Sequence, residues 1–182
     1  MTERDFILEG FTHSVRCDGR ENSQTRKFKA VANILPNSLG SAEIYYADGK
    51  KLVCAISGEI TVGKGTFKIF IESIVESNPL IKANLTKLIK QFIEPFVLSP
   101  QANDNLGWNL FADVLLYSPM SPTDADYIVL GLKKAYGNIE LPLIKETCNI
   151  VSHEKKLEMV EGFLRLDESE FPCCYSMGVV YD

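Results

Sequence analysis

The chain has 182 residues, 46% of them apolar and 24% charged, which suits one domain with a sizeable core, or one compact domain with a second lobe. Its 19 basic and 24 acidic residues leave a net charge of −5, which argues against a free-standing nucleic-acid binder, because phosphate contacts call for excess Lys and Arg. A local basic patch, or a place in a larger nucleic-acid-handling assembly, stays open. No apolar run reaches membrane-spanning length, and MTERDFILEGF lacks the long apolar centre of a signal peptide.

In chain order, residues 1–24 hold a short apolar-charged segment, Phe6 to Phe11, followed by Arg16-Cys17-Asp18-Gly19-Arg20. Asp-Gly is a turn signal, so the two arginines are either solvated or positioned to dock a neighbour. Residues 25–75 read as a meander of four antiparallel strands: 26–35, Ser41 to Ala47, Lys51 to Val62, and the strand carrying Phe67, Ile69 and Ile71 with Phe70 on its other face. Gly63-Lys64-Gly65-Thr66 is too short for a phosphate loop and is followed by a strand, so it reads as a hairpin turn.

A helix is predicted over 78–97, with Asn78 and Pro79 opening it and Ile81, Leu85, Leu88, Ile89, Phe92, Ile93 and Phe96 on one apolar face. Trp108 to Tyr117 is nearly continuously apolar and reads as a central strand buried on both faces. Ser118-Pro119-Met120-Ser121-Pro122 breaks it, Ser121 or Thr123 caps a second helix, and Gly137 with Asn138 stops that helix. Ile139 to Ile144, Val160 to Leu166 and Tyr175 to Tyr181 read as further strands, with 149–156 a loop.

The five cysteines, Cys17, Cys54, Cys148, Cys173 and Cys174, are odd in number and irregular in spacing. They read as reduced thiols of a cytosolic or nuclear protein, Cys54 as a small core residue. His13 and His153 lie in no nucleophile–base motif, and no metal-ligand spacing is present, so neither a metal nor another cofactor is expected. The best carboxylate group is Asp113, Asp124 and Asp126. The latter two suit a helix start; Asp113, in a strand read as buried, requires a partner.

Taken together these segments resemble a known family. Arg16-Cys17-Asp18-Gly19-Arg20, Gly40-Ser41-Ala42, Leu52 to Glu59, Trp108 to Leu115, Asp124-Ala125 opening a helix, and Ile139 to Pro142 follow in the order of the RNase PH-like exosome ring subunits. That family shows an R-x-D-G-R segment, a G-S-A strand, a W-x-L-x-x-D-V strand, a D-A helix and an I-P strand. The resemblance spans about residue 6 to 182. It implies an α+β, RNase PH-like (ribosomal protein S5 domain 2-like) fold: a β-meander, then helix–strand–helix, then a second β lobe. One domain is expected over 1–182, with its main core at 25–145 and a shortened lobe at 146–182, since the family's chains usually continue further. Arg16, Asp18, Gly19, Arg20, Asp113 and Asp124 are the motif positions.

The departures bear on activity. Catalytic members hold phosphate with arginines on the first long helix and a small-residue loop after the central strand. Here that helix carries Lys82, Lys87 and Lys90, and the loop carries prolines. Asp167 matches the start of the family's acidic segment, but Pro172 and Cys173 stand where a paired acid is expected. The resemblance therefore implies a non-catalytic ring subunit supporting 3′-to-5′ RNA processing and degradation, rRNA processing included. Its partners would be other RNase PH-like subunits, S1/KH-type cap proteins and threaded single-stranded RNA, in nucleus, nucleolus and cytoplasm. Arg20, Arg26, Lys27, Lys64 and Lys68 are the candidate RNA contacts. A phosphorolytic 3′-to-5′ exoribonuclease and a free-standing RNA-binding module are the alternatives.

Overall fold

The computed structural model describes residues 2–14, 16, 19–21, 24, 26–46, 49–95, 97, 100–103, 105–148 and 155–174. Among the described residues, one mixed sheet carries two helices on one face, and a two-stranded sheet follows.

The mixed sheet has strands β1 (Lys29–Ala32), β2 (Gly40–Tyr46), β3 (Lys50–Val62), β4 (Phe67–Ser73), β5 (Gln101–Asn103) and β6 (Leu106–Leu116). Its order is β1-β2-β3-β6-β4, with β5 paired to β6. β3 pairs antiparallel with β6 along its length, and β4 pairs parallel with β6. The fourth strand of the expected meander is thus not beside the third. β6 lies between them, and Gly63-Lys64-Gly65 is a crossing turn instead of a hairpin. Close approach explains Gly65: a Cβ there would stand 1.9 Å from the Trp108 carbonyl oxygen. The Asn109 carboxamide oxygen fixes the crossing by accepting from Thr66 N (3.1 Å) and Thr66 Oγ1 (3.0 Å). Helix α2 (Pro79–Ile93) makes the connection that parallel strands require.

Alternation decides which face is covered. Ala42, Ile44, Leu52, Cys54, Ile56, Ile69, Leu110, Ala112 and Leu116 are fully buried. They face α2 and the helix α3 (Ala125–Tyr136), which packs on β2 and β3. Their neighbours in sequence lie on the open face. The central strand is therefore covered on one face only, and Asp113 is exposed there, in register with Ala55 and Phe70. It needs no buried partner, contrary to the expectation from the apolar run.

α2 starts as predicted. Asn78 Oδ1 accepts from Leu80 N at 2.9 Å, and Pro79 takes the first position. Its buried residues are Leu85, Ile89 and Ile93. Leu88 and Phe92 remain exposed at 46% and 58%, so the apolar face is wider than the core contact. Glu3–Thr12 form a further helix, α1, that the apolar-charged segment did not reveal. Its Phe6 is 58% exposed, so no buried stripe marked it in the sequence.

β7 (Glu140–Cys148) and β8 (Lys155–Arg165) form the second sheet, an antiparallel hairpin longer than the predicted strands. Ile139, Leu141 and Ile144 anchor it to the core. The strand predicted at Tyr175 to Tyr181 lies outside the described residues, as do Cys17 and Asp18. No helix among the described residues is long and apolar enough to cross a membrane.

Candidate nucleic-acid interface

The sequence motifs first acquire physical reasons. Gly40 sits under α3, where a Cβ would meet the Ala135 carbonyl oxygen at 2.2 Å. Ser41 is fully buried, and its Oγ accepts from Leu35 N at 2.9 Å. Gly19 has φ +74°, and the turn around it is closed by Gly19 N donating to Arg16 O (2.8 Å) and Arg16 N donating to Arg20 O (3.1 Å). Arg20 Nη1 also donates to Gln24 O at 2.9 Å, tying the segment that leads to Arg26 and Lys27.

That segment lies near the head of α3, where Asp124 is the buried carboxylate, 1% exposed. Its Oδ2 accepts from Ser121 N at 2.7 Å, forming a capping box around the short 3-10 turn Pro122–Asp124. Its Oδ1 accepts from Lys50 Nζ at 3.2 Å. Met120 N donates to Ser77 Oγ at 2.9 Å, and Asp124 N to Ser121 O at 3.0 Å. Pro119 and Pro122 have no N–H. The Tyr46 hydroxyl is buried near both this carboxylate and the buried Ser118 hydroxyl, and neither hydroxyl reaches a partner within hydrogen-bond distance. Burial, and then the Asp124 charge, hold the Tyr46 phenol far above its ordinary pKa. The helix head, where an anion would be favoured, thus holds the chain's own carboxylate.

Aromatic rings adjoin it. Tyr127 stacks on Tyr46 with centroids 4.1 Å apart, and Phe28 meets Tyr127 edge-on at 6.5 Å. Burial raises the Tyr127 pKa, while the Arg26 and Arg20 charges act on it in the opposite direction.

The acidic stretch docks along the same helix. Lys134 Nζ pairs with Glu168 Oε2 at 2.9 Å, and Phe171 is buried against Phe67 and Tyr136. Asp167 accepts from Ser169 N at 2.8 Å, a bond that lowers its pKa. Lys133 Nζ donates to Cys173 Sγ at 3.4 Å. Burial, then a hydrogen bond with Asp126, pushes the Cys174 thiol up to about 11. Cys54, Cys173 and Cys174 are free thiols, and Cys54 is the core residue its strand position suggested. Among the described residues, no three or more His, Cys, Asp or Glu are grouped to hold a metal ion.

The five candidate RNA contacts do not form one patch. Arg20, Arg26 and Lys27 are at the Lys50 end of β3, around Tyr127. Lys64 lies two residues past Val62, the other end of that strand, roughly 40 Å away at about 3.3 Å per residue. Lys68 is exposed on the open sheet face, in register with Phe111. On α2, Lys82 pairs with Glu72 at 2.5 Å and Lys90 lies over the Phe70 ring at 5.3 Å. The aromatic members of the α3 cluster, Phe28 and Tyr127, were not among the expected site residues. Their signal was an aromatic set between basic residues, Arg26-Lys27-Phe28-Lys29.

No family model matches this chain, and no curated protein matches it. Solved structures do. A chain of an archaeal exosome core aligns with a TM-score of 0.53 at 18% identity, covering 85% of this chain and 72% of that one. A chain of the Archaeoglobus fulgidus exosome with RNA bound to the active site aligns with a TM-score of 0.56 at 17% identity, covering 85% and 74%. The protein thus shares the mixed α/β fold of these exosome core chains.

Proposed function

We propose that this chain is a non-catalytic structural subunit of an RNA exosome core ring, supporting 3′-to-5′ RNA processing and degradation. Shared fold with two exosome core structures supports the ring role. One observation carries the non-catalytic part: three backbone N–H groups of the turn into α3 are already taken within the chain. Ser121 N is held by Asp124, Met120 N by Ser77 and Asp124 N by Ser121 O, while two prolines lack N–H altogether.

In this reading the chain's work is scaffolding. It would bury its exposed apolar elements against RNase PH-like neighbours, carry S1/KH-type caps, and line part of a path for single-stranded RNA, in nucleus and cytoplasm. The test is a phosphorolysis assay on the purified chain with labelled single-stranded RNA, inorganic phosphate and Mg²⁺. No release of nucleoside diphosphates is expected. Phosphate-dependent release that disappears in Asp167→Asn would establish the exoribonuclease alternative instead.

A further inference from the structure

Three separate segments bring rings and cations together at the head of α3. Tyr46, from the end of β2, is 5% exposed and supports Tyr127 face to face, with an interplanar angle of 19°. Phe28, from the strand approach to β1, leans on Tyr127 at 67° and is still 52% exposed. The Tyr127 ring is thus fixed from below, and the rim beside it carries an exposed aromatic side chain. Arg26 and Lys27 precede Phe28 directly, and both are exposed. From Arg16 to Lys29 the sequence has five basic residues, Arg16, Arg20, Arg26, Lys27 and Lys29, against Asp18 and Glu21, in a chain of net charge −5.

An apolar protein partner would want an apolar rim around an exposed phenyl ring. Asp126 also lies near the Tyr127 ring, but the exposed side chains flanking Phe28 are the cations Arg26, Lys27 and Lys29, which suits a polyanion that also offers flat faces. Resting on the exosome reading for the choice of polymer, we propose that Phe28 and Tyr127 form a stacking platform for a base of single-stranded RNA, with Arg26 and Lys27 meeting the flanking phosphates. Stacking of this kind tolerates any base, because every base has a π face. The Tyr46 support means little ordering is needed when the base arrives.

The test is fluorescence anisotropy of the full chain with a fluorescein-labelled single-stranded RNA, titrated over a range of KCl concentrations. Phe28→Ala and Phe28→Leu should each weaken binding about tenfold without changing the salt slope, and Phe28→Tyr should bind like the parent. Arg26→Ala and Lys27→Ala should each weaken binding and reduce the slope of log K against log salt by about 0.7. Lys87→Ala, on the exposed side of α2, should change nothing. Circular dichroism melts check that each variant folds. The proposal is overturned if Phe28→Ala and Phe28→Leu bind like the parent, or if the parent does not bind at about 100 μM. It is equally overturned if Phe28→Ala keeps RNA affinity but loses neighbouring protein chains in co-purification, since the surface is then a protein interface. The exosome reading fails differently, by absence of ring partners in extract, which leaves the anisotropy result untouched.

Discussion

Lys50 and Asp124, 74 residues apart in sequence, meet at 3.2 Å and join the start of β3 to the head of α3. Asp124 is 1% exposed and the Lys50 side chain 27% exposed, so the pair is buried on the acid's side only. Removing the acid strips the Ser121 N–H of its acceptor and leaves the ammonium only Ser121 Oγ, at 3.2 Å. Asp124→Ala should cost about 3 kcal/mol, read as a lower urea midpoint at unchanged m. Lys50→Ala should cost less, about 1 kcal/mol, because the carboxylate keeps its backbone donor.

Two glycines should resist alanine for opposite local reasons. Gly40→Ala places a methyl 2.2 Å from the Ala135 carbonyl oxygen, which belongs to backbone and cannot swing away, so a loss of about 2 kcal/mol or more is expected. Gly131→Ala gains about 1 kcal/mol of helix propensity on α3. Its Cβ, however, would stand 2.7 Å from Cys54 Sγ and 2.9 Å from Leu52 Cδ1, both fully buried, so packing outweighs propensity and the variant should still be destabilised. Thermal melts of both variants check the order.

The acidic stretch is held by Phe171 more than by its charges. Phe171→Ala should cost about 3 kcal/mol, as expected for a ring 3% exposed among Phe67 and Tyr136. Glu168→Ala removes a pair whose side chains are 38% and 43% exposed, and should cost under about 1 kcal/mol. Urea titrations of the two variants would show which contact dominates.

Stability should depend on pH through Glu43 and Lys51, which pair on the open sheet face. The hydrogen bond from Lys51 holds the Glu43 pKa below its ordinary 4.5. Its contribution is therefore complete above the carboxylate range and is lost as pH falls through the depressed value. The same bond raises the Lys51 pKa above 10.5, so at the alkaline end the contribution is lost as pH rises through the elevated value. Glu43→Gln should flatten both flanks of the stability–pH curve, and 1 M salt should flatten them partly.

Strand positions were legible in the sequence because alternation of apolar residues fixes which side chains share a face. Ile69 and Ile71 against Phe70 is one such case. Pairing was not, since period 2 says nothing about neighbours, and the full-length match of β3 with β6 displaced β4 to the far side. The same gap misplaced Asp113: its strand is apolar on both faces, but helices cover only one. Asp124 was correctly placed at a helix start, yet its burial depends on Lys50, far away in sequence. α1 escaped notice because Phe6 and Ile7 stay exposed. The Tyr46–Tyr127–Phe28 group was hidden because β2, α3 and the segment before β1 come together only on folding.

The measurement that tests the central claim most directly is affinity capture of the tagged chain from native extract, with mass spectrometry of what it retains. The account predicts recovery of RNase PH-like chains together with S1/KH-type cap proteins, and no phosphorolysis by the purified chain alone. Recovery of this chain only, assembled with itself into a ring that releases nucleoside diphosphates from RNA in the presence of phosphate, would contradict it.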